Sequence, residues 1–165
     1  NNGGVLINNI ALGNYNLESL RKKVGVYISN TDVFEGTVLE NITMGRKGIS
    51  EEEITSLAIK LGFQSFVSSL RNGFETKVDP AGKKMPSKMI KMIIILRAFV
   101  DKPDLLLLDE PFEGFNDDIK KSLLSFILNE LEDCTVVISS NFNEFIESAK
   151  MNIVLEGGEI NVSKK

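Results

Sequence analysis

Leu105-Leu106-Leu107-Leu108-Asp109-Glu110-Pro111 sets four consecutive leucines against two carboxylates. An aliphatic run without polar alternation predicts a strand, Leu105–Leu108, buried on both faces of a parallel sheet. In open α/β sheets ligands gather at the C-terminal edge of the strands, which is where Asp109 and Glu110 would emerge. The pair admits two readings. In one, Asp109 holds a hard divalent cation such as Mg²⁺, directly or through water, and Glu110 orients or deprotonates an attacking water. In the other, the two acids only close off a buried strand.

Outward from this run the chain alternates strands with helices. Thr135–Ser139 is a second aliphatic strand, and Asp117–Glu132 between them is amphipathic, with Ile119, Leu123, Phe126, Ile127 and Leu131 on one stripe. Upstream, Val24–Ile28 reads as a strand, preceded by a short helix Leu17–Lys23 capped by Asn16, and Val5–Asn8 as another strand. Thr37–Thr43 suits one or two helical turns. Ser50 and Glu53 form a capping box for a helix that Gly62 ends, followed by Gln64–Leu70 and Ser87–Val100. Downstream, Asn143 is expected to cap a short helix to Lys150. Ile153–Leu155 and Glu159–Val162 then form a hairpin around Gly157-Gly158. The order predicts an α/β fold with a parallel core sheet, residues 1–36 and 101–165, interrupted by a helical insertion at about 37–100.

The 165 residues carry 19 basic and 23 acidic side chains, a net charge of −4 that excludes a basic nucleic-acid footprint. There is no histidine, which removes Ser-His-Asp triads, Cys-His pairs and histidine metal ligation. The single cysteine, Cys134, excludes an intrachain disulfide and suggests a reducing, cytosolic setting. It is expected to be a small core residue or, alternatively, a reactive thiol. No stretch approaches the roughly 20 apolar residues of a membrane helix. Asn1-Asn2-Gly3-Gly4 lacks the features of a leader, and the chain is expected to begin partway through something larger.

Several segments, in order, are similar to the nucleotide-binding domain of ATP-binding-cassette (ABC) transporters, a P-loop NTPase-like fold. Residues 16–26, NLESLRKKVGV, resemble the segment leading to the family's Q-loop, and residues 34–42, FEGTVLENI, resemble the segment after that loop in exporters. Asp109-Glu110-Pro111 resembles the end of the Walker B motif, Arg97-Ala98-Phe99 the end of the signature helix, and residues 153–158 the closing strand and turn. The resemblance implies Mg-ATP-driven export. It makes Asp109 the metal residue and Glu110 the general base. It also implies a membrane-spanning transporter domain and a second cassette as partners, at the cytoplasmic face of the membrane.

The sequence departs from the family at five places. The phosphate loop, GxxxxGK[ST], has no match: the only Gly-Lys is Gly82-Lys83, followed by Lys84, with Lys77 at the place of the first glycine. The N-terminal strands and the phosphate-loop strand are therefore expected to be missing. Their absence would leave sheet edges that self-associate or force the sheet to close up or rearrange. Ser29 stands at the Q-loop glutamine. Met85-Pro86-Ser87-Lys88-Met89 replaces Leu-Ser-Gly-Gly-Gln, losing glycines that let a backbone approach phosphate. Glu113-Gly114-Phe115-Asn116 replaces the D-loop, with Asn116 at its aspartate. Asn141 takes the place of the switch histidine, and an amide hydrogen-bonds but carries no proton. A degenerate copy, inactive as an isolated chain, is expected. The alternative is a non-catalytic interaction or regulatory module that keeps the cassette shape.

Met85, Met89 and Met92 join Ile90 and Ile93–Ile95 in a helix that is apolar nearly all round, broken by Lys91 and Arg97. Such a helix is either buried or offers an adaptable partner surface. Phe112 and Phe115 either stack on a ligand or pack beneath the acidic loop.

Overall fold

A computed structural model describes residues 3–78, 85–131 and 133–165; Gly82-Lys83 and Lys84 lie outside them. The core is a parallel sheet of three strands, β3 (Val24–Tyr27), β6 (Leu105–Asp109) and β7 (Thr135–Ser139), in the order β3-β6-β7. Val26 pairs with Leu107 and Leu107 with Val137, so the two crossovers run through helices. Before β3 come a small ladder, β1 (Leu6–Ile7) with β2 (Ile10–Ala11), and helix α1 (Leu17–Lys22). Asn16 caps α1 as expected, its side chain accepting from the Ser19 amide at 3.0 Å.

Between β3 and β6 the chain builds a helical block. Its elements are β4 (Gly36–Thr37), α2 (Val38–Thr43), α3 (Glu51–Lys60), α4 (Gln64–Ser69), β5 (Lys77–Val78) and α5 (Ser87–Phe99). Ser50 and Glu53 form the predicted capping box, and Thr37 with Glu40 forms a second one at α2. Buried Asn41 is satisfied on all sides: its carbonyl accepts from Phe34 N at 2.9 Å, and its amide donates to Phe34 O at 3.0 Å and Thr37 O at 2.9 Å. The Arg97 guanidinium donates to Asn41 O at 2.7 Å, and Arg46 spans from Arg97 O to Asp101. This polar network ties α2 to the end of α5. Met92 and Ile93–Leu96 are buried, with Met85, Met89 and Ile90 half-buried against the core. The apolar helix is core rather than an exposed partner surface.

α6 (Asp117–Asn129) buries Ile119, Leu123 and Ile127 as predicted. α7 (Asn143–Ser148) corrects one expectation: Phe142, not Asn143, stands at its N-cap, and Ser140 Oγ accepts the Phe142 amide at 3.0 Å. β8 (Met151–Glu156) and β9 (Glu159–Lys164) form the hairpin, turning at Gly157-Gly158 with both φ positive. No helix among the described residues is long and apolar enough to cross a membrane.

Two further expectations fail on the same face of the sheet. Leu105–Leu108 is buried on one face only, because no described layer covers the side carrying Val26, Leu107 and Val137. Nor has the sheet closed up or rearranged: β7 pairs only with β6, and β8 only with β9, among the described residues.

The opposite face meets α5 at closest range. A Cβ on Gly25 would lie 2.0 Å from Ala98 O and 2.7 Å from Leu106 Cδ2. Gly25→Ala must therefore push helix and strand apart, and is expected to cost about 3 kcal/mol in urea denaturation. A loss below a few tenths would show that the two backbones separate freely.

Candidate functional site

β6 delivers Asp109 and Glu110 at the C-terminal edge of the sheet, both half-buried. Glu110 leaves the strand with φ 47, a left-handed conformation uncommon for a side-chain-bearing residue and found disproportionately at functional turns. Its amide still donates to Ser139 O at 2.8 Å, so β7 holds the turn from one side. From there the side chain reaches the segment after β7. Asn141 Nδ2 donates to Glu110 Oε1 at 3.0 Å, and the Asn141 amide donates to Oε2 at 3.4 Å. On the other flank Ser29 Oγ, just past β3, donates to Asp109 Oδ2 at 3.1 Å.

The structure thus brings together Ser29, Asp109, Glu110 and Asn141, from all three strand ends. It does not bring the rest of the predicted set to them. Met85 precedes α5, Pro86 stands at its N-cap without a side-chain bond, and Ser87, Lys88 and Met89 form its first turn. Asn116 occupies the N-cap position of α6, also without a side-chain cap. None of these six hydrogen-bonds the carboxylate cluster among the described residues. The link from the signature helix comes instead from Lys91. Its Nζ donates to Glu110 O at 3.0 Å and Glu113 O at 2.6 Å. Sequence reasoning assigns it no role in the site, and its only signal there is a lone charge interrupting an apolar helix.

Aromatic rings form the floor. Phe112 packs against Phe142 at 4.8 Å and Phe145 at 5.7 Å, and Phe115 against Phe63 at 5.5 Å. Both loop phenylalanines are buried, so they support the loop from beneath. A cavity of about 390 Å³ opens above, where Glu110, Glu113, Asn141 and Lys120 converge. At the opposite edge of the sheet, burial and then Asp104 raise the Cys134 pKa, keeping it a thiol, and the side chain packs half-buried against the core.

As a cation site the cluster offers one carboxylate and one hydroxyl, Asp109 and Ser29. That fits Mg²⁺ of the kind that takes one or two protein oxygens and completes its shell with water and phosphate. No group of three or more acidic, cysteine or histidine ligands occurs among the described residues. No GxxxxGK[ST] stretch occurs among these 165 residues.

A parallel sheet with a carboxylate pair at its C-terminal edge and a helical insertion is the architecture of an α/β cassette. Over 99% of its length the chain superposes, with a TM-score of 0.87 and 24% identity, on 29% of a bacterial Atm1-family ABC exporter solved with ATP bound. The family model for ABC transporters matches residues 1–113, and the chain belongs to that family. It is 28% identical over 156 residues to the uncharacterized ABC transporter ATP-binding protein YknV of Bacillus subtilis, covering 94% of this chain and 26% of that protein. It is 30% identical over 159 residues to a fatty acid ABC transporter ATP-binding/permease protein of Mycobacterium bovis, covering 96% of this chain and 25% of the relative. A putative export ATP-binding/permease protein of Rickettsia typhi is 28% identical over 159 residues, covering 96% and 28%. The chain spans about a quarter of the length of these relatives.

The Tyr27 phenol lies beside this acidic loop, and burial, then the Glu113 and Asp109 carboxylates, push its pKa from 10.0 up to about 12. Between those values the folded chain keeps a proton the unfolded chain has lost, so stability falls as pH rises through the interval. The whole shift corresponds to about 2.7 kcal/mol, and with solvent screening from the open loop about half of that is expected. Lys91, whose pKa burial lowers from 10.5, acts in the opposite sense just below that value. Comparing the chain with Tyr27→Phe in denaturant melts from pH 9 to 12 isolates the tyrosine. Parallel profiles would remove the assignment.

Proposed function

We propose that this chain is the ATP-binding-cassette portion of an exporter-type ABC transporter in which the catalytic half-site has degenerated. The family's job is to couple Mg-ATP binding and hydrolysis to transmembrane export, at the cytoplasmic face of the membrane, with a membrane-spanning domain and a second cassette. Bound ATP and Mg²⁺ would supply the phosphoryl group and its charge-neutralising cation. Asp109, with Ser29 behind it, is the residue for the metal, and Glu110 stands where the family's general base stands.

One observation carries the reading of degeneracy: both oxygens of Glu110 are held by Asn141. An asparagine amide orients the carboxylate but takes up no proton and carries no charge to a γ-phosphate. Ser29, bonded to Asp109, is too short to reach a metal and a remote water together. Ser87 and Lys88 place side chains where the family's glycines let amides approach phosphate, and Lys88 offers only a point charge. Loss of one such contact commonly costs roughly 10²-fold in rate, and the losses act on one site, so they do not simply add. With Mg-ATP, phosphate release by the isolated chain is expected at the protein-free background, and Glu110→Gln leaves it there. Turnover that Glu110→Gln abolishes would overturn the reading.

A second reading, an interaction module that keeps the cassette shape, draws support from the uncovered sheet face. Val26 (40% exposed), Leu107 (38%) and Val137 (55%) form one aliphatic row ending at a strand without Pro, Lys or bulge to protect its edge. Self-association through this edge is the expected consequence. Light scattering after gel filtration should find a dimer or larger species at micromolar concentration that Val137→Lys returns to monomer. A monomer at every concentration would exclude it.

A further inference from the structure

We infer that Lys91 is a positioning residue: its ammonium fastens α5 to the turn after the carboxylate pair and thereby fixes where Glu110 points. The inference rests on the reading of Asp109 and Glu110 as the retained part of a cassette site. It concerns how that part is held, whether or not it turns over nucleotide.

The acceptors are the informative detail. Three carboxylates, Asp109, Glu110 and Glu113, lie in this loop, yet Nζ bonds the main-chain carbonyls of Glu110 (3.0 Å) and Glu113 (2.6 Å). Two carbonyls three residues apart, gathered on one ammonium, close the turn in the way a bound cation would. The side-chain oxygens stay available to other partners, Ser29 for Asp109 and Asn141 for Glu110. The remaining face of the ammonium is enclosed by aromatic rings. Nζ lies 5.4 Å from the Tyr27 centroid and 5.1 Å from that of Phe115, both within cation–π range. Those rings come from β3 and from the loop itself, so three separate segments meet on one side chain. Glu110 needs such a hold. Its φ of 47 is a conformation that a residue with a side chain keeps only when its surroundings enforce it, and the Ser139 bond to its amide enforces one side alone. On the carbonyl side the Glu113 amide donates to Glu110 O at 3.3 Å, and Lys91 adds the shorter, charge-assisted bond at 3.0 Å.

The same tether couples the start of α5 to the site. Lys88, one turn earlier on the helix, lies 5.9 Å from the same Phe115 ring. A displacement of the first turn of α5 therefore reaches Glu110 through Lys91 within one chain, by a rigid helix and a short charge-assisted hydrogen bond.

The test uses the full chain, isotopically labelled and without nucleotide. The readouts are the side-chain Cγ resonance of Asn141, which reports its bond to Glu110, and amide hydrogen exchange at Glu110–Phe115. Lys91→Met should accelerate exchange in that turn at least tenfold. It should also move the Asn141 resonance to its position in Glu110→Gln, while exchange in α3 and α6 stays unchanged. Lys91→Arg, which keeps the charge and the donors, should restore both readouts to within a few fold. If Lys91→Met leaves the turn and Asn141 as they were, or raises exchange equally in α3 and α6, the positioning role is overturned. If that variant does not fold, a titration of the unmodified chain decides. The titratable groups facing Nζ are Tyr27 on β3 and Glu110 and Glu113 on the loop. Burial lowers the Lys91 pKa from 10.5, while that of Tyr27 is pushed up to about 12. An Asn141 transition with its midpoint below 10.5, present in Lys88→Gln and absent in Lys91→Arg, supports the assignment, and a flat profile overturns it. Because no readout involves ATP, turnover detected in the hydrolysis assay would sink the degenerate reading and leave this one standing. A turn indifferent to Lys91 would do the reverse.

Discussion

The contact on which the rest of this structure depends is the one between two backbones, β3 at Gly25 and α5 at Ala98. Helices usually stand off a sheet by the depth of their side chains. Here Ala98 O occupies the space a Cβ would need, so the helix lies directly on the strand. That approach sets the position of everything else on α5. Seven residues back, two helical turns, Lys91 comes over Tyr27, which is two residues further along β3. At the other end Arg97 reaches Asn41 and draws α2 into place. A bulkier residue at position 25 would lift the helix and uncouple both ends together.

The charges at the sheet edge show a division of labour. Neutral donors, Ser29 and Asn141, hold the carboxylate oxygens, while the half-buried ammonium of Lys91 holds main-chain carbonyls. A cation bonded directly to Glu110 would neutralise it and lock it in an ion pair. A cation bonded to its backbone fixes its direction and leaves its charge in place. The arrangement holds the loop in shape with an amide at Asn141, which orients the Glu110 carboxylate without taking up its proton.

Much of this was legible from local chemistry. The Leu105–Glu110 run located the central strand and the edge at which Asp109 and Glu110 emerge, because four leucines without alternation have few other uses. The Ser50–Glu53 box and the Gly157-Gly158 turn are self-contained signals, satisfied by residues within hydrogen-bonding reach along the chain. Thr37–Glu40 has the same Thr/Ser-x-x-Glu spacing and forms the same box, but nothing in its short helix of six residues made the pattern stand out. Local chemistry does not carry any bond that spans a long sequence separation. The Ser29–Asp109 and Lys91–Glu110 bonds join segments that only the folded sheet brings together. The cap expected from Asn143 failed for a related reason: the chain leaving β7 is already turned by Ser140, and the helix starts a residue early.

The uncovered face of the sheet is the other place where pattern and structure part, and the disagreement is itself informative. Leu105–Leu108 and Thr135–Ser139 are aliphatic on both faces, the composition of strands that lie between two layers. Only one of those layers, led by α5, is supplied by the described residues. The exposed part of the row of Val26, Leu107 and Val137 leaves some of its hydrophobic term unused in the chain as it stands. Side chains of this kind, in register across three strands and continuous with an open edge, are matched to a second apolar surface. The same holds for β8 and β9, where Ile153, Leu155, Ile160 and Val162 are all exposed on a two-stranded hairpin that is marginal in isolation. The chain therefore encodes more burial than it performs, and in the core sheet the difference lies on the side opposite α5.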